Sequence, residues 1–452
     1  MLHLLSLAAA LDLPPEVIQQ LERRNAAGVD RSAVVGLHSP EGTVVMAFGA
    51  RTGAGDDPVQ PGDLYEIGSI SKTFTAVLLA DAVGRGEVAL TDRVADLAPS
   101  GVKVRGAFTL EQLASHHSGL ARLPCNLKDV GGPDPYATFD RAALWKALKV
   151  CKLESAPGTT FAYSNYGVGL LGELLAARVG STWGALVDQR LLDPLAIQGL
   201  GWPTPADGLL VEGSNSGQDV AHWTFDALAG AGALRGSVPA LLAWGEVHAQ
   251  VATGRPIQPT VPGAALGPID DADRARLTAA IALALTPRFD AGEGAQVGLG
   301  WFHNPLPGGG EAVWHNGGTA GFHSFVGFHG DRVAAVLVSS GMGADDIGMH
   351  LLDPASPLTP LPERTTLADE ALAPYLGTWR LQPGFDIVVT ATDGHLVVQA
   401  TGQPAFPVWP DGPDRFRLEV VDAAIAFDRD AAGQITGAWL EQNGRHPLKR
   451  VD

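Results

Sequence analysis

The sequence predicts a mixed α/β (α+β) fold: an antiparallel sheet flanked by helices, with a mostly helical subdomain, followed by an all-β barrel domain. Strand-like patterns lie near both ends of the first part, roughly residues 110–290 are mostly helical, and a proline-rich segment precedes a series of short strands. A chain of 452 residues exceeds what one hydrophobic core usually holds. We therefore expect a first domain at 1–352, a linker at 353–368 and a C-terminal antiparallel β-barrel at 369–452.

The predicted sheet takes its strands from both ends of the first domain. Apolar runs at Ala33–His38 and Thr43–Phe48 flank a short segment with a proline and a glycine, which predicts a β-hairpin. Three later runs separated by turns predict an antiparallel meander: Glu311–His315, Phe322–Phe328 and Val333–Ser339. We expect the hairpin and the meander to form one sheet, with helices covering its faces.

Several segments between the hairpin and the meander have helical patterns. Tyr65–Ala82 predicts a buried helix that begins near Ser69, because it is rich in apolar residues and alanines. Shorter helices are predicted at Thr109–Ala114, Arg141–Lys152 and Tyr166–Val179. Gly180 is placed to end the last of these.

The composition changes after the meander. Asp353–Arg364 contains four prolines among twelve residues, which indicates a stiff and extended linker. Short strand-like runs separated by Gly, Pro and Asp follow it: Tyr375–Leu381, Asp386–Thr390, His395–Ala400, Phe406–Trp409, Phe416–Val420, Ala424–Asp428 and Ile435–Gln442. Their spacing is typical of a small up-and-down barrel or sandwich of about 80 residues.

Charge and cysteine content limit the classes of partner. The formal net charge is −18, from 49 acidic and 31 basic residues, which repels phosphate backbones and argues against nucleic acid. The apolar start Met1–Leu13 is too short to span a bilayer, and no later stretch has a transmembrane pattern. Cys125 and Cys151 are the only cysteines; they form one disulfide or remain two buried thiols, and the sequence leaves both open.

A serine and a lysine three positions apart, Ser69 and Lys72, open the predicted buried helix. Residues i and i+3 share a helical face, so the amine can lie beside the hydroxyl. The helix N-terminus stabilises negative charge on Ser69, and desolvation lowers the pKa of Lys72 so that it can accept the hydroxyl proton. A second match, Ser100 to Lys103, lies in a turn and opens no apolar helix, so it is set aside.

Tyr163 and Asn165 follow a Pro-Gly turn and directly precede a predicted helix. A tyrosine phenol close to a lysine ammonium ionises more readily and can act as a general base. An asparagine carboxamide can hold the lysine and bind the carbonyl group of a substrate amide. Taken alone, the two residues are more typical of a packed aromatic ring and a helix N-cap.

His315, Asn316, Gly317 and Gly318 lie where a predicted strand enters a glycine-rich turn. Glycines allow a substrate to approach the edge of a strand closely. The backbone N–H of Gly318 is a candidate to form an oxyanion hole with that of Ser69. Taken alone, the pattern also fits a hairpin turn with a surface histidine.

In this order, the three elements resemble the motifs of the serine penicillin-recognising enzymes. The version with tyrosine looks like the class C β-lactamases, the serine D-Ala-D-Ala carboxypeptidases and the family VIII carboxylesterases. Further segments carry the resemblance: YEIGSISKTFTA, TLEQLASHHSGL, PGTTFAYSNYG, ALAGAGALRGS, GLGW and WHNGGTAGF. The resemblance covers roughly residues 15–345, and the C-terminal part resembles the small β-barrel appended to some esterases and peptidases of this group.

The resemblance implies a role for each matching residue. Ser69 would be acylated, and Lys72 and Tyr163 would share the duties of base and acid. Asn165 would orient Lys72 and the substrate. The N–H groups of Ser69 and Gly318 would hold the oxyanion.

The sequence departs from the family pattern on the late strand. His315 stands where most β-lactamases of this kind carry a lysine, and Asn316 replaces the usual Thr or Ser, beside Gly317 and Gly318 in the substrate-binding segment. A lysine gives a substrate carboxylate a permanent positive charge, whereas His315 is expected to be charged only part of the time near neutral pH. Carboxylate recognition at this strand is therefore expected to be weaker.

These residues predict a serine hydrolase that forms an acyl-enzyme on Ser69. It is expected to cleave carboxyl esters or the amide and peptide bonds of D-amino-acid compounds, with β-lactam hydrolysis as a secondary activity. A dedicated class C-like β-lactamase is one alternative. A slowly acylating or inactive penicillin-binding sensor or scaffold is the alternative of another class, since the chemistry does not require the barrel.

Motifs for other chemistries are missing from the sequence, which has no G-x-S-x-G, HExxH or P-loop. His116 and His117 have no pattern of Cys or carboxylate ligands near them, so we expect no metal and no cofactor. The expected partner is a small-molecule ester, amide or β-lactam, and homo-oligomerisation is left open. The resemblance favours the periplasm or secretion, while the start of the sequence shows no clear signal peptide and leaves the cytoplasm open.

Overall fold

The computed structural model describes residues 11–128, 132–203, 209–215, 217–258, 269–360, 364–401, 405–418, 423–442 and 444–451. The chain divides into two compact units, Met1–Thr359 and Pro360–Asp452. The division falls inside the proline-rich segment that the sequence predicts as a linker, whose bounds stay a prediction. Within these described ranges, no helix is long and apolar enough to cross a membrane.

Strands from both ends of the first unit form one antiparallel sheet, which confirms the predicted fold class. The strands of this unit are β1 (Asp30–Ser39), β2 (Gly42–Gly49), β3 (Tyr65–Glu66), β4 (Leu200–Gly201), β5 (Gly213–Asn215), β6 (Gln218–Val220), β7 (Arg235–Gly236), β8 (Phe289–Gly292), β9 (Ala295–Val297), β10 (Phe302–Pro305), β11 (Glu311–Gly318), β12 (Phe322–His329) and β13 (Arg332–Ser340). The order in the large sheet is β2-β1-β13-β12-β11-β10-β9-β8. The hairpin β1–β2 therefore joins the meander β11–β13 through pairing of β1 with β13.

Helices cover both faces of this sheet. Those of the first unit are α1 (Pro15–Ala26), α2 (Ser71–Gly84), α3 (Val94–Leu97), α4 (Leu110–Ala114), α5 (Arg141–Val150), α6 (Asn165–Arg178), α7 (Trp183–Val187), α8 (Asp193–Leu195), α9 (Val238–Ala252), α10 (Asp271–Leu285) and α11 (Asp345–Leu352). Helices α1 and α11 pack on one face and α9 packs on the other. Strand β13 alternates between the two cores, so Val336 faces the side of α11 and Leu337 faces the side of α9. A strand that is buried on both faces has a continuous apolar sequence, as β13 does.

Helix α2 lies in the interior of the first unit. Each residue from Ser71 to Ala82 is buried, and α4, α6, α7 and α10 contact the helix. A 3₁₀ turn at Gly68–Ile70 precedes it directly, so the predicted start near Ser69 is confirmed.

The two cysteines are bonded to each other. Cys125, in the loop after α4, forms a disulfide with Cys151, which directly follows α5. Of the two alternatives that the sequence leaves open, the structure has the paired one.

The second unit is a closed antiparallel barrel preceded by a short helix, α12 (Asp369–Leu372). Its strands are β14 (Gly377–Gln382), β15 (Phe385–Thr392), β16 (His395–Ala400), β17 (Ala405–Pro410), β18 (Arg415–Leu418), β19 (Ala424–Arg429), β20 (Ile435–Glu441) and β21 (Arg445–Arg450). The predicted runs correspond to β14–β20, but the sequence gives no signal for β21. Only Leu448 of β21 is buried, because this charged strand joins the barrel by backbone pairing with β20 and β14.

A buried carboxylate ties α2 to its neighbours. The side chain of Asp81 is fully buried and binds three guanidinium groups, those of Arg85, Arg190 and Arg276. Arg85 follows α2, Arg190 precedes α8 and Arg276 lies on α10. The network therefore fixes the end of α2 opposite to Ser69.

We expect Asp81→Asn to destabilise the first unit by about 3 kcal/mol, because removal of one partner leaves buried charge uncompensated. Urea unfolding followed by circular dichroism measures this loss. The matched control is Asp96→Asn, since Asp96 pairs with Arg93 at the surface with both side chains about 60% exposed; its expected effect is below about 1 kcal/mol. Equal losses in the two variants would contradict the role given to the network.

Candidate active site

Ser69 lies in the 3₁₀ turn that leads into α2 and is partly exposed to a cleft of about 940 Å³. Gly68 in this turn has φ +49°, and a Cβ atom there would lie 2.9 Å from the backbone nitrogen of Gly318. Glycine is needed at this position for both reasons. The turn thus presents the Ser69 hydroxyl to the cleft beside the end of β11.

Lys72 lies one turn into the same helical segment and is fully buried. Its Nζ atom donates hydrogen bonds to Ser69 Oγ at 2.8 Å and to the backbone carbonyl of Ala231 at 2.7 Å. In the described part of the chain, no carboxylate forms an ion pair with it. Burial lowers the pKa of Lys72 well below its usual range, and the charge of Arg122 lowers it further. The neutral amine is therefore far more populated than it is for an exposed lysine.

Tyr163 forms the next part of the site, with its ring centroid 4.9 Å from Lys72 Nζ. Burial raises the pKa of Tyr163, while hydrogen bonding with the Ser69 side chain and the charge of Arg122 lower it by less. The expectation that this phenol ionises readily is therefore wrong, because removal of the hydroxyl from water opposes its ionisation. Between the two groups, Lys72 is better suited to accept a proton.

Asn165 is the first residue of α6 and lines the same cleft. Its Nδ2 atom donates to the hydroxyl of Tyr136 at 3.2 Å, and its buried Oδ1 atom has no hydrogen-bond partner in the described structure. No hydrogen bond joins Asn165 to Lys72, contrary to the orienting role expected. The helix cap is Ser164, whose hydroxyl accepts from Gly167 N at 2.8 Å, so Asn165 is not the N-cap either.

His315 on β11 is fully buried, and its Nδ1 atom donates to the backbone carbonyl of Asn316. Burial lowers the pKa of His315 to about 3, and the charge of Lys72 contributes in the same direction. His315 is therefore neutral at neutral pH, and the expectation of a partial charge is wrong because the ring is removed from water. The surface histidine of a simple hairpin turn is excluded as well.

The cleft that contains Ser69 is also lined by Asn316, Gly317 and Gly318 of β11. Asn316 Nδ2 donates to Asp345 Oδ2 at 2.6 Å, and burial raises the pKa of Asp345 to about 6. A Cβ atom on Gly317 would lie 2.0 Å from the carbonyl oxygen of Ile67. The hydroxyl of Ser324 donates to that same oxygen at 2.8 Å. Strand β11 therefore packs against the Ser69 turn at a distance that only glycine allows.

The structure adds two residues to the site that the sequence analysis missed. Arg122 lines the cleft, and its Cζ atom lies 5.2 Å from the ring centroid of Tyr163. Tyr136 holds Asn165 and stacks on Phe225 at 4.7 Å. Arg122 lies just after the segment TLEQLASHHSGL, so its closeness to this motif could have indicated a role in the site. The sequence around Tyr136 contains no such motif.

The adjacent histidines have separate structural roles. His116 has φ +62°, accepts from the backbone N–H of Ser164 at 3.1 Å and stacks on Tyr163 at 4.3 Å between ring centroids. His117 donates to the Ser115 carbonyl at 2.8 Å. Across the described residues, no three His, Cys, Asp or Glu side chains are grouped to hold a metal ion.

Comparison with known proteins assigns the first unit to a family. A family model described as Beta-lactamase matches residues 18–353. The chain belongs to this family. A second model, a domain of unknown function (DUF3471), matches residues 361–448 in the barrel unit.

Individual relatives agree with the assignment. The D-alanyl-D-alanine-carboxypeptidase/endopeptidase AmpH of Escherichia coli (strain K12) is 32% identical over 142 residues, which are 30% of this chain and 36% of that protein. The match thus spans about a third of that relative's length. The solved structure of SurE is 24% identical with a TM-score of 0.59 and covers 96% of this chain and 98% of its own. A class C β-lactamase is 21% identical with a TM-score of 0.61, covering 76% and 96%. These two structures share the fold of the chain.

We expect Gly317→Ala to lower the reactivity of Ser69 about 100-fold, because the added methyl group pushes β11 away from the Ser69 turn. The rate of covalent labelling by a fluorophosphonate measures this reactivity. Gly62→Ala is the matched control, since a Cβ atom there meets no atom within 4 Å. Unchanged labelling of a folded Gly317→Ala protein would show that the close approach of β11 is dispensable.

Proposed function

We propose that this chain is a serine hydrolase that forms an acyl-enzyme on Ser69. The observation that carries the proposal is the 2.8 Å hydrogen bond between Lys72 Nζ and Ser69 Oγ. The amine is buried, and none of the described carboxylates pairs with it. A neutral amine at this distance can take the hydroxyl proton as Ser69 attacks. Family membership supports the same class of chemistry.

In the proposed acylation step, Ser69 Oγ bonds to the substrate carbonyl carbon while its proton moves to Lys72. The backbone N–H groups of Ser69 and Gly318 stabilise the oxyanion. Tyr163, protonated in the resting state, passes a proton to the departing alcohol or amine and regains one from Lys72. Water then attacks the acyl-enzyme by the reverse proton path and restores the free Ser69 hydroxyl.

The proposed substrates are carboxyl esters and the amides or peptides of D-amino-acid compounds, with β-lactams hydrolysed more slowly. A neutral, buried His315 supports this preference, because β11 then offers no cation to the carboxylate of a β-lactam. The cleft also has aromatic walls from Phe161, Phe302 and Trp223, which suit an apolar acyl or alcohol group.

The proposal predicts one covalent adduct at Ser69 after treatment with a fluorophosphonate, and none in Ser69→Ala. Intact-protein mass spectrometry followed by peptide mapping identifies the site. Turnover of p-nitrophenyl butyrate, D-Ala-p-nitroanilide and nitrocefin is compared in parallel. Faster nitrocefin turnover than ester turnover would favour a dedicated β-lactamase, and absence of any adduct would favour a sensor or scaffold.

The pH dependence of ester hydrolysis tests the role of Lys72. A neutral base is active above its pKa, so the rate falls as the pH decreases through the lowered pKa of Lys72 and the amine becomes protonated. The midpoint should lie well below the usual lysine value of about 10.4. His315→Gln should leave the midpoint in place, since His315 is already neutral. A midpoint that moves with His315 would contradict the assignment of Lys72 as the base.

A further inference from the structure

The cleft that contains Ser69 has an uneven distribution of charge. Of the described residues that line it, Arg122 is the only lysine or arginine and Glu293 is the only acidic residue. Lys72 lies behind Ser69 and is buried, and His315 is neutral. A permanent positive charge is therefore presented to a bound substrate by Arg122.

The backbone of Arg122 is held beside the catalytic tyrosine. Its carbonyl oxygen accepts from the backbone N–H of Tyr166 at 3.2 Å, which ties the loop to the first turn of α6. Its guanidinium carbon lies 5.2 Å from the ring centroid of Tyr163. Arg122 is exposed to solvent, so a ligand in the cleft can reach its guanidinium group.

The guanidinium of Arg122 has no ion pair and no side-chain hydrogen bond within the described residues, although the chain contains 49 acidic residues and 31 basic ones. Several other arginines of this unit are paired, for example Arg141 with Glu173 and Arg288 with Glu111. Five N–H donors are thus available at one wall of the cleft. A planar guanidinium matches the two oxygens of a carboxylate.

We infer that Arg122 is a specificity-determining residue that binds a carboxylate group of the substrate next to the scissile bond. The inference rests on the proposed acyl transfer at Ser69 and narrows its substrate class to acidic esters or amides. It also assigns carboxylate recognition to the loop after α4 and not to β11, where the sequence predicts that such recognition is weak. The positive charge of the site is then carried by Arg122 and not by His315 on β11.

A purely electrostatic effect on the base is the competing explanation. The charge of Arg122 lowers the pKa of Lys72, so its removal raises that pKa and moves the acidic limb of activity to higher pH. This effect is the same for every substrate. Loss of carboxylate binding instead lowers kcat/KM more for an acidic substrate than for a neutral one. This difference is measured at a pH where each variant is fully active.

Two matched pairs of esters provide the test. Mono-p-nitrophenyl adipate and its methyl ester differ by one carboxylate on the acyl side, and 4-butyryloxybenzoate and its methyl ester differ by one carboxylate on the leaving group. For Arg122→Gln we expect kcat/KM for the acidic member of at least one pair to fall about tenfold more than for its neutral partner, mainly through KM. Arg122→Lys should recover part of the difference. Arg93→Gln, which removes the same charge from the surface outside the cleft, should change neither ratio.

Equal losses for acidic and neutral esters in Arg122→Gln, or no loss in either pair, would overturn the inference. Calorimetric binding of both acidic esters to Ser69→Ala and to Ser69→Ala/Arg122→Gln gives a readout that needs no turnover. Weaker binding only in the double variant supports the carboxylate site even if hydrolysis at Ser69 is not found. Equal binding in the two proteins contradicts the carboxylate site, whether or not Ser69 is acylated.

Discussion

Burial of the Lys72 amine, with no ion-paired carboxylate in the parts of the chain that the structure describes, is the constraint on which the site depends. A charged ammonium in a dry interior costs several kcal/mol even after the protein relaxes, which lowers the pKa of Lys72 and favours the neutral amine. The amine still needs hydrogen-bond partners, and the structure supplies two of them, Ser69 Oγ and the Ala231 carbonyl. A base and a nucleophile are thereby held together by the same packing that buries α2.

The surroundings of α2 satisfy its other polar groups in the same way. The indole of Trp244 stacks on Phe74 at 3.9 Å and donates to the hydroxyl of Thr73. The hydroxyl of Thr75 accepts from Trp183 and donates to the carbonyl of Gly230. Gly230 and Ala231 belong to one 3₁₀ turn, so this turn both anchors the helix and orients the Lys72 amine. A shift of the turn would leave several buried groups unpaired at once.

Local sequence patterns were sufficient for the framework and for the identity of the central residues. The sheet shared by both chain ends and the start of the helix at Ser69 follow from periodicity and turn residues, which act over short distances. The partner of Asn165, the protonation of His315 and the role of Arg122 depend on burial and on contacts between distant segments. The sequence did not predict strand β21 for a related reason. Its place in the barrel comes from backbone pairing and not from an apolar pattern.

Four groups that can carry positive charge surround the ring of Tyr163. Lys72, His116 and His315 all lie near this ring, and burial is the main cause that lowers the pKa of each, with a further contribution from neighbouring positive charge. If all three carried protons beside Arg122, four positive charges would surround one phenol at low dielectric. The guanidinium of Arg122 lies at the exposed side of this group, and its positive charge lowers the pKa of Lys72 and of His116. The exposed guanidinium at the wall of the cleft and the lowered pKa of the buried Lys72 amine therefore both depend on which parts of the site are open to water.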